Sequence, residues 1–465
     1  MSARGSGAAR ALDPTILRAY DIRGIVGETL SEADAAAIGR AFATVVREGG
    51  GRTVCVGYDG RLHSPALEAA LVDGLTSAGS TVIRVGLGPT PMLYFAVEWF
   101  GADAGVMVSG SHNPPDYNGF KLLTASGAFH GEDIQRLGRI AAEGAFASGA
   151  GTGEDRPALE PYIDRIAADF DGARPLKIAW DAGNGAAGEA MRMLCDRLPG
   201  THVLLNAEID GTFPAHHPDP AVADNLRQLV RSVAAEGCEL GIAFDGDGDR
   251  LGVVDGEGRI LWGDQILMLL ARDILGRLPG ATVIADVKAS QTLFDEVARL
   301  GGVPLMWRTG HSLIKDKMAE TGAALAGEMS GHIFIADGYF GYDDALYAAV
   351  RLLGILSRSD ETLAEIRDRL PATVATPELR FRCPDARKFA VVEDIRRQLR
   401  REGAEMSEVD GVRVRTGDGW WLLRASNTED ALVARCEAAD EDGLARLRAS
   451  LKRQLDGSGI DAGEV

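Results

Sequence analysis

Cysteine is scarce in this chain: five in 465 residues, at Cys55, Cys195, Cys238, Cys383 and Cys436, and never spaced as CxxC. An odd, scattered set excludes a disulfide framework and a zinc-thiolate site. It predicts reduced, buried thiols in a cytoplasmic protein. Excess positive charge is also missing. Lys and Arg total 49 against 68 Asp and Glu, a formal net charge of −19. Non-specific binding to nucleic acid or to an acidic lipid surface needs a basic field, so neither partner is expected. A phosphorylated small molecule stays open, because a few basic residues in a cleft can dominate locally. No apolar run has the length of a membrane span. The opening MSARGSGAAR holds no apolar stretch of the kind a secretory signal needs. With 46% hydrophobic and 25% charged residues, the composition is that of a globular protein long enough for several cores.

What is present is a pattern that recurs three times. TVCVGYDG (53–60), a helical stretch from Ser64, TVIRVG (81–86), a helical stretch near 91–100 and AGVMVSG (104–110) make the first round. LKIAWDAGN (176–184), helix 185–198, HVLLN, helix 223–236 and LGIAFDGDGDR repeat it. ATVIADVKA (281–289), helix 291–300, VPLMWRTG, helix 312–320 and AALAGEMSGH form the third. Continuous apolar strands alternating with amphipathic helices predict mixed or parallel sheets covered on both faces. In each round a late strand runs into a polar loop: SGSHNP, DGDGDR, then GEMSGH. Ligands bind beyond the carboxyl ends of strands in open α/β sheets, so three side-by-side units would bring these loops to one cleft. The Ala/Gly/Ser-rich stretch 141–157 predicts a linker. From about 372 the pattern changes to antiparallel strands (ELRFRC, GVRVRT, GWWLLRAS, ALVARCEAA) flanked by helices near 386–402 and 441–455. The expected architecture is α/β: three similar mixed-sheet α/β/α domains (1–156, 157–259, 260–371) and a C-terminal α+β domain (372–465) around a central cleft.

Asp245, Asp247 and Asp249 fall within five residues, with glycines between them. Two carboxylates about 4 Å apart repel by roughly 4 kcal/mol at an effective dielectric near 20, so three together call for a cation. Oxygen ligands in a tight loop that also takes a phosphoryl oxygen suit Mg²⁺. The loop is no EF-hand, since Arg250 stands where that loop needs its glycine and Gly256 where it needs its last glutamate. Ser111 lacks a GxSxG elbow. Phosphoryl transfer fits better: it needs an in-line oxygen nucleophile, a metal and fixed cations. Ser111, the aspartates, Arg250 and Lys121 supply these parts. His112 reads equally well as a structural loop histidine. Glu328 and Ser330 on a glycine-flanked loop suit sugar hydroxyls. The turn Arg424-Ala425-Ser426-Asn427-Thr428-Glu429 can hold a phosphate through side chains and backbone N–H groups.

These four motifs, in this order, resemble the α-D-phosphohexomutase superfamily over nearly the whole chain, from AYDIRG (19–24) to RASNTED (424–430). The bacterial phosphomannomutase/phosphoglucomutase branch is the closest pattern. The resemblance implies that Ser111 carries a phosphoryl group. Asp245, Asp247 and Asp249 would ligate one Mg²⁺ per chain, with the phosphoserine oxygen of Ser111 completing the site. Arg250 would lie against that phosphate. Glu328 and Ser330 would grip sugar hydroxyls, with His332 beside them. Arg424, Ser426, Asn427 and Thr428 would clamp the non-reacting phosphate. Tyr20, Arg23, His112, Lys288, Arg308 and His311 match cleft-lining positions, and Lys121 and His311 resemble general acid/base candidates. Asp430 stands where proline is common in the family, and Ala215 where asparagine is usual.

The implied reaction interconverts hexose 1-phosphate and hexose 6-phosphate. It passes through a hexose 1,6-bisphosphate, which also serves as activator, in a monomer or weak dimer. Phosphoglucosamine mutase is the nearest alternative. A Mg²⁺-dependent phosphatase is a further one, although Asp249 breaks its DxDx[TV] pattern. A non-catalytic sugar-phosphate binder is the third.

Overall fold

The computed structural model describes residues 9–125, 127–427 and 430–463. Four sheets follow one another along the chain. The first runs in the order Ile22–Ile25, Tyr117–Thr124, Ala104–Val108, Thr53–Tyr58, Thr81–Leu87, Thr152–Asp155, with Gly127–Phe129 added beside Tyr117–Thr124. The second orders Ile260–Leu261, Leu251–Asp255, Leu240–Phe244, Leu176–Asp181 and Gly200–Leu205. The third orders Val303–Trp307, Thr282–Asp286, Leu325–Gly327 and Ile333–Ile335.

Each of these sheets is parallel at its centre and reverses once. Ala104–Val108, Leu240–Phe244 and Leu325–Gly327 lie parallel to a central strand. Each then pairs antiparallel with the strand that follows: Tyr117–Thr124, Leu251–Asp255 and Ile333–Ile335. The reversal follows from loop length. A parallel return needs a crossover of a dozen or more residues. The connections 109–116, 245–250 and 328–332 are too short for one, so the chain turns back as a hairpin. Its polar loop is left at the carboxyl end of the sheet.

One continuous apolar cluster joins these three domains, running through Phe95 and Tyr162, Trp180 and Phe244, then Leu267 and Tyr347. The outer helices close separate, smaller cores. The fourth domain is a mainly antiparallel sheet around Gly419–Ala425 and Ala431–Ala438, packed on helices Asp385–Glu402 and Glu441–Gly457 through its own core. The five cysteines are free and buried. Among the described residues no helix is long and apolar enough to cross a membrane.

The segment read as a linker is partly ordered structure. Helix Glu132–Glu143 ends inside it, and Thr152–Asp155 adds a parallel edge strand beside Thr81–Leu87. All four residues of that strand are exposed, so the sequence carries no apolar alternation that would reveal it.

In the first domain, helices Glu32–Glu48 and Ser64–Ser77 pack backbone to backbone. A Cβ on Gly74 would lie 2.2 Å from Ala36 O, and one on Gly39 would lie 2.4 Å from Leu71 O. Gly→Ala inside a helix ordinarily stabilises by up to about 1 kcal/mol. Here the clash reverses the sign. Gly74→Ala is expected to lose about 1–3 kcal/mol, as overpacked cores do, read as a lower Tm in thermal unfolding. An unchanged or raised Tm would refute this account of the helix contact.

Candidate active site

Ser111 sits at the end of the apolar strand Ala104–Val108, in a loop whose carbonyls are gathered by one buried arginine. Arg61 donates to Ser111 O at 2.7 Å, Asn113 O at 2.6 Å and Tyr117 O at 3.0 Å. Its Nε lies 3.3 Å from Asp59 Oδ2, which also accepts the Gly110 N–H at 2.9 Å. Arg23 adds a donor to Gly110 O at 2.7 Å. Ser109 Oγ accepts the Ser111 N–H at 2.9 Å. Held this way, Ser111 adopts φ +48°, the left-handed region that a non-glycine residue rarely occupies. Its Oγ donates to Asp245 Oδ2 at 2.9 Å and lies 3.1 Å from His112 Nδ1. Burial, Arg250 and Arg23 push His112 well below the usual histidine range, so its ring is neutral.

The aspartate loop closes against the serine loop because Gly246 has no side chain. A Cβ there would lie 2.2 Å from Ser111 O. Asp245, Asp247 and Asp249 are all fully buried. Asp247 Oδ2 accepts Lys121 Nζ at 2.7 Å, Ser109 Oγ at 2.7 Å and Thr90 Oγ1 at 2.5 Å. Lys121 Nζ also pairs with Asp249 Oδ2. Burial would raise Asp247, but Lys121 and the two hydroxyls hold it well below the carboxylate range. Burial with Asp249 and Asp247 nearby pushes Asp245 well above it. Burial opposes the charge on Lys121, yet Asp247 and Asp249 keep it an ammonium, with its pKa raised well above the usual lysine value.

One ligand atom from each of the three aspartates lies within 4.8 Å of the others. Asp247 Oδ1 and Asp249 Oδ1 are buried without a hydrogen-bond partner among the described residues. Unpaired buried carboxylate oxygens are costly unless a cation meets them. The donor set, oxygens only, fits a hard divalent ion.

In the third domain, Glu328 Oε1 accepts the Gly310 N–H at 2.5 Å and Oε2 accepts Ser330 Oγ at 3.1 Å. His332 and Arg250 join the second and third domains: Arg250 Nε donates to His332 Nε2 at 3.1 Å. His311 stacks on His332 with ring centroids 5.5 Å apart. Burial, then Lys315, pushes His311 well below the usual histidine range. Lys288 Nζ pairs with Glu378 at 3.1 Å, and burial pushes the nearby Asp286 up to about 6. In the fourth domain, Arg424 Nε donates to Asp410 Oδ2 at 2.8 Å. Asn427 Nδ2 hydrogen-bonds Tyr20 Oη, which donates to Thr309 O at 2.9 Å.

A single cavity of about 1100 Å³ collects these groups. Tyr20, Arg23, Ser111, His112, Lys121, Arg250, Lys288, His311, Glu328, Ser330, His332, Arg424, Ser426 and Asn427 line it. Asp245, Asp247 and Asp249 are fully buried and not part of that lining, and two further expectations fall elsewhere. Arg308 is exposed and donates to Val409 O at 3.2 Å, outside the cavity lining. Its strand ends one residue earlier, at Trp307. Thr428 lies outside the described residues. Arg61, which gathers the serine loop, and Asp343, which accepts Lys315 Nζ at 2.9 Å, were not legible in the sequence. An Asp ending the first strand was visible there, but Arg61 gave no signal of its own.

Models of phosphoglucomutase/phosphomannomutase domains match the chain in order: α/β/α domain I over residues 14–147, II over 160–258, III over 262–374 and the C-terminal domain over 378–454. The phosphomannomutase/phosphoglucomutase of Pseudomonas aeruginosa is 45% identical over 444 residues, 96% of each chain. The phosphoglucomutase of Neisseria gonorrhoeae is 44% identical over 445 residues, 95% of this chain and 96% of that one. The crystal structure of a phosphoglucomutase/phosphomannomutase family protein from Burkholderia thailandensis superposes with a TM-score of 0.92. It is 44% identical, with 97% of this chain and 99% of that chain covered.

Because Asp245 is raised, a divalent ion must displace its proton, and affinity should rise with pH. Mg²⁺ is expected to raise the Tm by several degrees, and to bind more weakly at about pH 5.5 than at about pH 7.5. Asp247→Asn should lose the Mg²⁺-dependent shift. Equal binding at both pH values by calorimetry would count against the proton on Asp245.

Proposed function

The chain belongs to the phosphoglucomutase/phosphomannomutase family of the α-D-phosphohexomutase superfamily, and we propose how its four loops divide the interconversion of hexose 1- and 6-phosphates. The observation that carries the reading is the Ser111 hydroxyl, 2.9 Å from Asp245 at the base of the cavity that all four domains line. In this reading Ser111 is the phosphoryl carrier. Asp245, Asp247 and Asp249 hold one Mg²⁺, which when bound neutralises charge on the transferring phosphoryl group. The domain limits of this reading fall at residues 156, 259 and 371.

The phosphoryl group leaves phosphorylated Ser111 Oγ for the free hydroxyl of the sugar, giving a hexose 1,6-bisphosphate. The bisphosphate turns over within the cleft, and Ser111 Oγ takes the other phosphoryl group. In the first transfer the attacking sugar hydroxyl loses a proton and Ser111 Oγ takes one; in the second Ser111 Oγ loses its proton and the other sugar oxygen, freed of its phosphoryl group, takes one. His311 suits that task better than Lys121. Burial keeps His311 neutral and able to accept a proton, whereas two carboxylates hold Lys121 protonated. Lys121 serves instead as a fixed cation, with Arg250.

Glu328 and Ser330 grip sugar hydroxyls. Arg424, Ser426, Asn427 and Thr428 clamp the phosphate that does not react, aided by Lys288 and Tyr20. Arg23 and His112 border the serine. Arg308 is left a role at the rim, from which it can meet a phosphate as the fourth domain closes. Such an arrangement holds a substrate in either orientation, and closure excludes the water that would hydrolyse phosphoserine. One chain supplies every loop, so a monomer suffices.

The test is one assay. The protein is incubated with Mg²⁺, a trace of glucose 1,6-bisphosphate and, in turn, glucose, mannose and glucosamine 1-phosphates. Formation of glucose and mannose 6-phosphates is expected. Dominant turnover of the glucosamine ester would favour the aminosugar alternative, and free phosphate would indicate a phosphatase. Ser111→Ala should lower kcat by at least about 1000-fold, since the covalent route is removed. Full activity in that variant would remove Ser111 from its role.

A further inference from the structure

An aspartate closes the corresponding strand in each of the three α/β domains. Thr53–Tyr58, Leu176–Asp181 and Thr282–Asp286 are the strands to which Ala104–Val108, Leu240–Phe244 and Leu325–Gly327 lie parallel. Asp59 follows the first of them, and Asp181 and Asp286 end the other two. All three aspartates are buried. None takes part in the reaction steps above. Neighbouring strands lie about 4.8 Å apart, so a carboxylate at the end of one can reach the first N–H groups of the loop leaving the other.

In the first domain Asp59 Oδ2 accepts the Gly110 N–H at 2.9 Å, inside the serine loop. Its Oδ1 accepts the Arg61 N–H at 3.0 Å and Ser64 Oγ at 2.5 Å. In the third domain Asp286 Oδ1 accepts the Met329 N–H at 3.2 Å, between Glu328 and Ser330. Its Oδ2 accepts Thr309 Oγ1 at 3.1 Å, next to Gly310, whose N–H holds Glu328. In the second domain the reach is one step longer. Asp181 Oδ2 meets His216, and Pro218 O beyond it accepts the Gly246 N–H.

We propose that Asp59 and Asp286 are positioning residues that fasten two different loops. Asp59 sets the serine loop and with it Ser111 Oγ; Asp286 sets the 328–332 loop and with it Glu328 and Ser330. The kinetic consequences rest on the mutase reading above; the fastening does not.

The two carboxylates differ in what an amide can replace. Each oxygen of Asp59 holds a backbone N–H, which only donates. An asparagine there turns its NH₂ group against one of them in either orientation. At Asp286 one oxygen serves a backbone N–H and the other a hydroxyl, which can also accept. An asparagine keeps its carbonyl on Met329 and gives its amide to Thr309. Lys288 Nζ, 3.8 Å from Asp286 Oδ2, retains Glu378 as its partner.

The test compares Asp59→Asn, Asp286→Ala and Asp286→Asn with the wild type on glucose 1-phosphate, with Mg²⁺ and a trace of glucose 1,6-bisphosphate. Ser111 acts in the transfer itself. Asp59→Asn should lower kcat about 100-fold, the cost of a displacement near 1 Å, with KM within about 3-fold. Grips on sugar hydroxyls act in the ground and transition states alike. Asp286→Ala should raise KM at least about 10-fold with kcat within about 3-fold, and Asp286→Asn should restore KM. Amide exchange, read by mass spectrometry, should quicken at least about 10-fold over residues 109–116 in Asp59→Asn alone, and over 328–332 in Asp286→Ala alone. Loss of the same kinetic parameter in both, or quickened exchange in both loops together, would mark a general loss of structure and overturn the proposal. A folded Asp59→Asn or Asp286→Ala with unchanged kinetics and loop exchange would overturn it as well, as would an Asp286→Asn as impaired as the alanine. If a variant does not fold, the wild type decides: the Gly110 and Met329 N–H groups should exchange at least about 100-fold more slowly than free amides, and an unprotected N–H at either residue overturns the proposal. Wild-type protein that turns over no hexose phosphate would refute the mutase reading and leave amide exchange to judge the two aspartates.

Discussion

The ammonium of Lys121 between Asp247 and Asp249 is the contact on which the site depends. It crosses from the first domain to the second, and all three groups are almost wholly removed from water. A buried charge costs several kcal/mol unless it is paired. One lysine cannot balance three carboxylates that repel one another by roughly 4 kcal/mol per close pair. The imbalance is distributed by position. Asp247 takes Lys121 and two hydroxyls and stays ionised, while Asp245 keeps a raised pKa beside Ser111. The loop is thereby left with two buried carboxylate oxygens unpaired among the described residues, beside the Ser111 loop. Removing Lys121, which reaches in from the first domain, would leave the charges of Asp247 and Asp249 facing each other uncompensated.

That boundary is closed by backbone as much as by charge. The Thr90 N–H donates to Asp247 O at 2.7 Å across it, and within the second domain Gly246 N donates to Pro218 O at 3.1 Å. His216 Nε2 meets Asp181 Oδ2 at 2.9 Å and ties the 216–219 loop down. Asp219 of that loop comes within 3.7 Å of Arg250. The aspartate loop is therefore held from three directions while Arg61 holds the serine loop opposite. Two loops fixed independently to rigid sheets meet at Ser111, and for the phosphoryl carrier proposed above this is the condition for gaining rate from preorganisation rather than from movement.

The readable part of this arrangement was the part written in contiguous residues. Leu240–Phe244 and Ala104–Val108 are uninterrupted apolar runs, and a run that stops abruptly at SGSHNP or DGDGDR announces both a buried strand and its loop. Asp59, Arg61 and Asp343 behave differently. Each meets partners distant in the sequence, such as Ser111 O for Arg61, 50 residues away, and a lone Arg or Asp after a strand reads as surface. The edge strand Thr152–Asp155 escaped for a related reason, since its pairing uses backbone alone and its side chains are exposed. Arg308 is named only through the family resemblance, and its exposed side chain bonds Val409 O outside the cavity lining.

The way the fourth domain is attached separates it energetically from the other three. Domains one to three share a continuous apolar cluster, so parting them would expose buried side chains at about 25 cal/mol per Å². The fourth domain touches the third through a small apolar contact of Val287 with Trp420 and Leu422. Around it, Arg413 donates to Val287 O and Ala289 O at 3.0 Å each, and its guanidinium stacks 3.8 Å above Trp420. Ser290 Oγ donates to Glu437 at 2.9 Å. These polar contacts can be replaced by water at small net cost, while a shared core cannot. Arg424, Ser426 and Asn427 sit on the domain that is cheapest to move. The serine and the aspartates sit on the body that is most expensive to disturb. In the proposed reaction a sugar phosphate is admitted, turned and enclosed by shifting the fourth domain alone, with the Ser111–Asp245 distance unchanged.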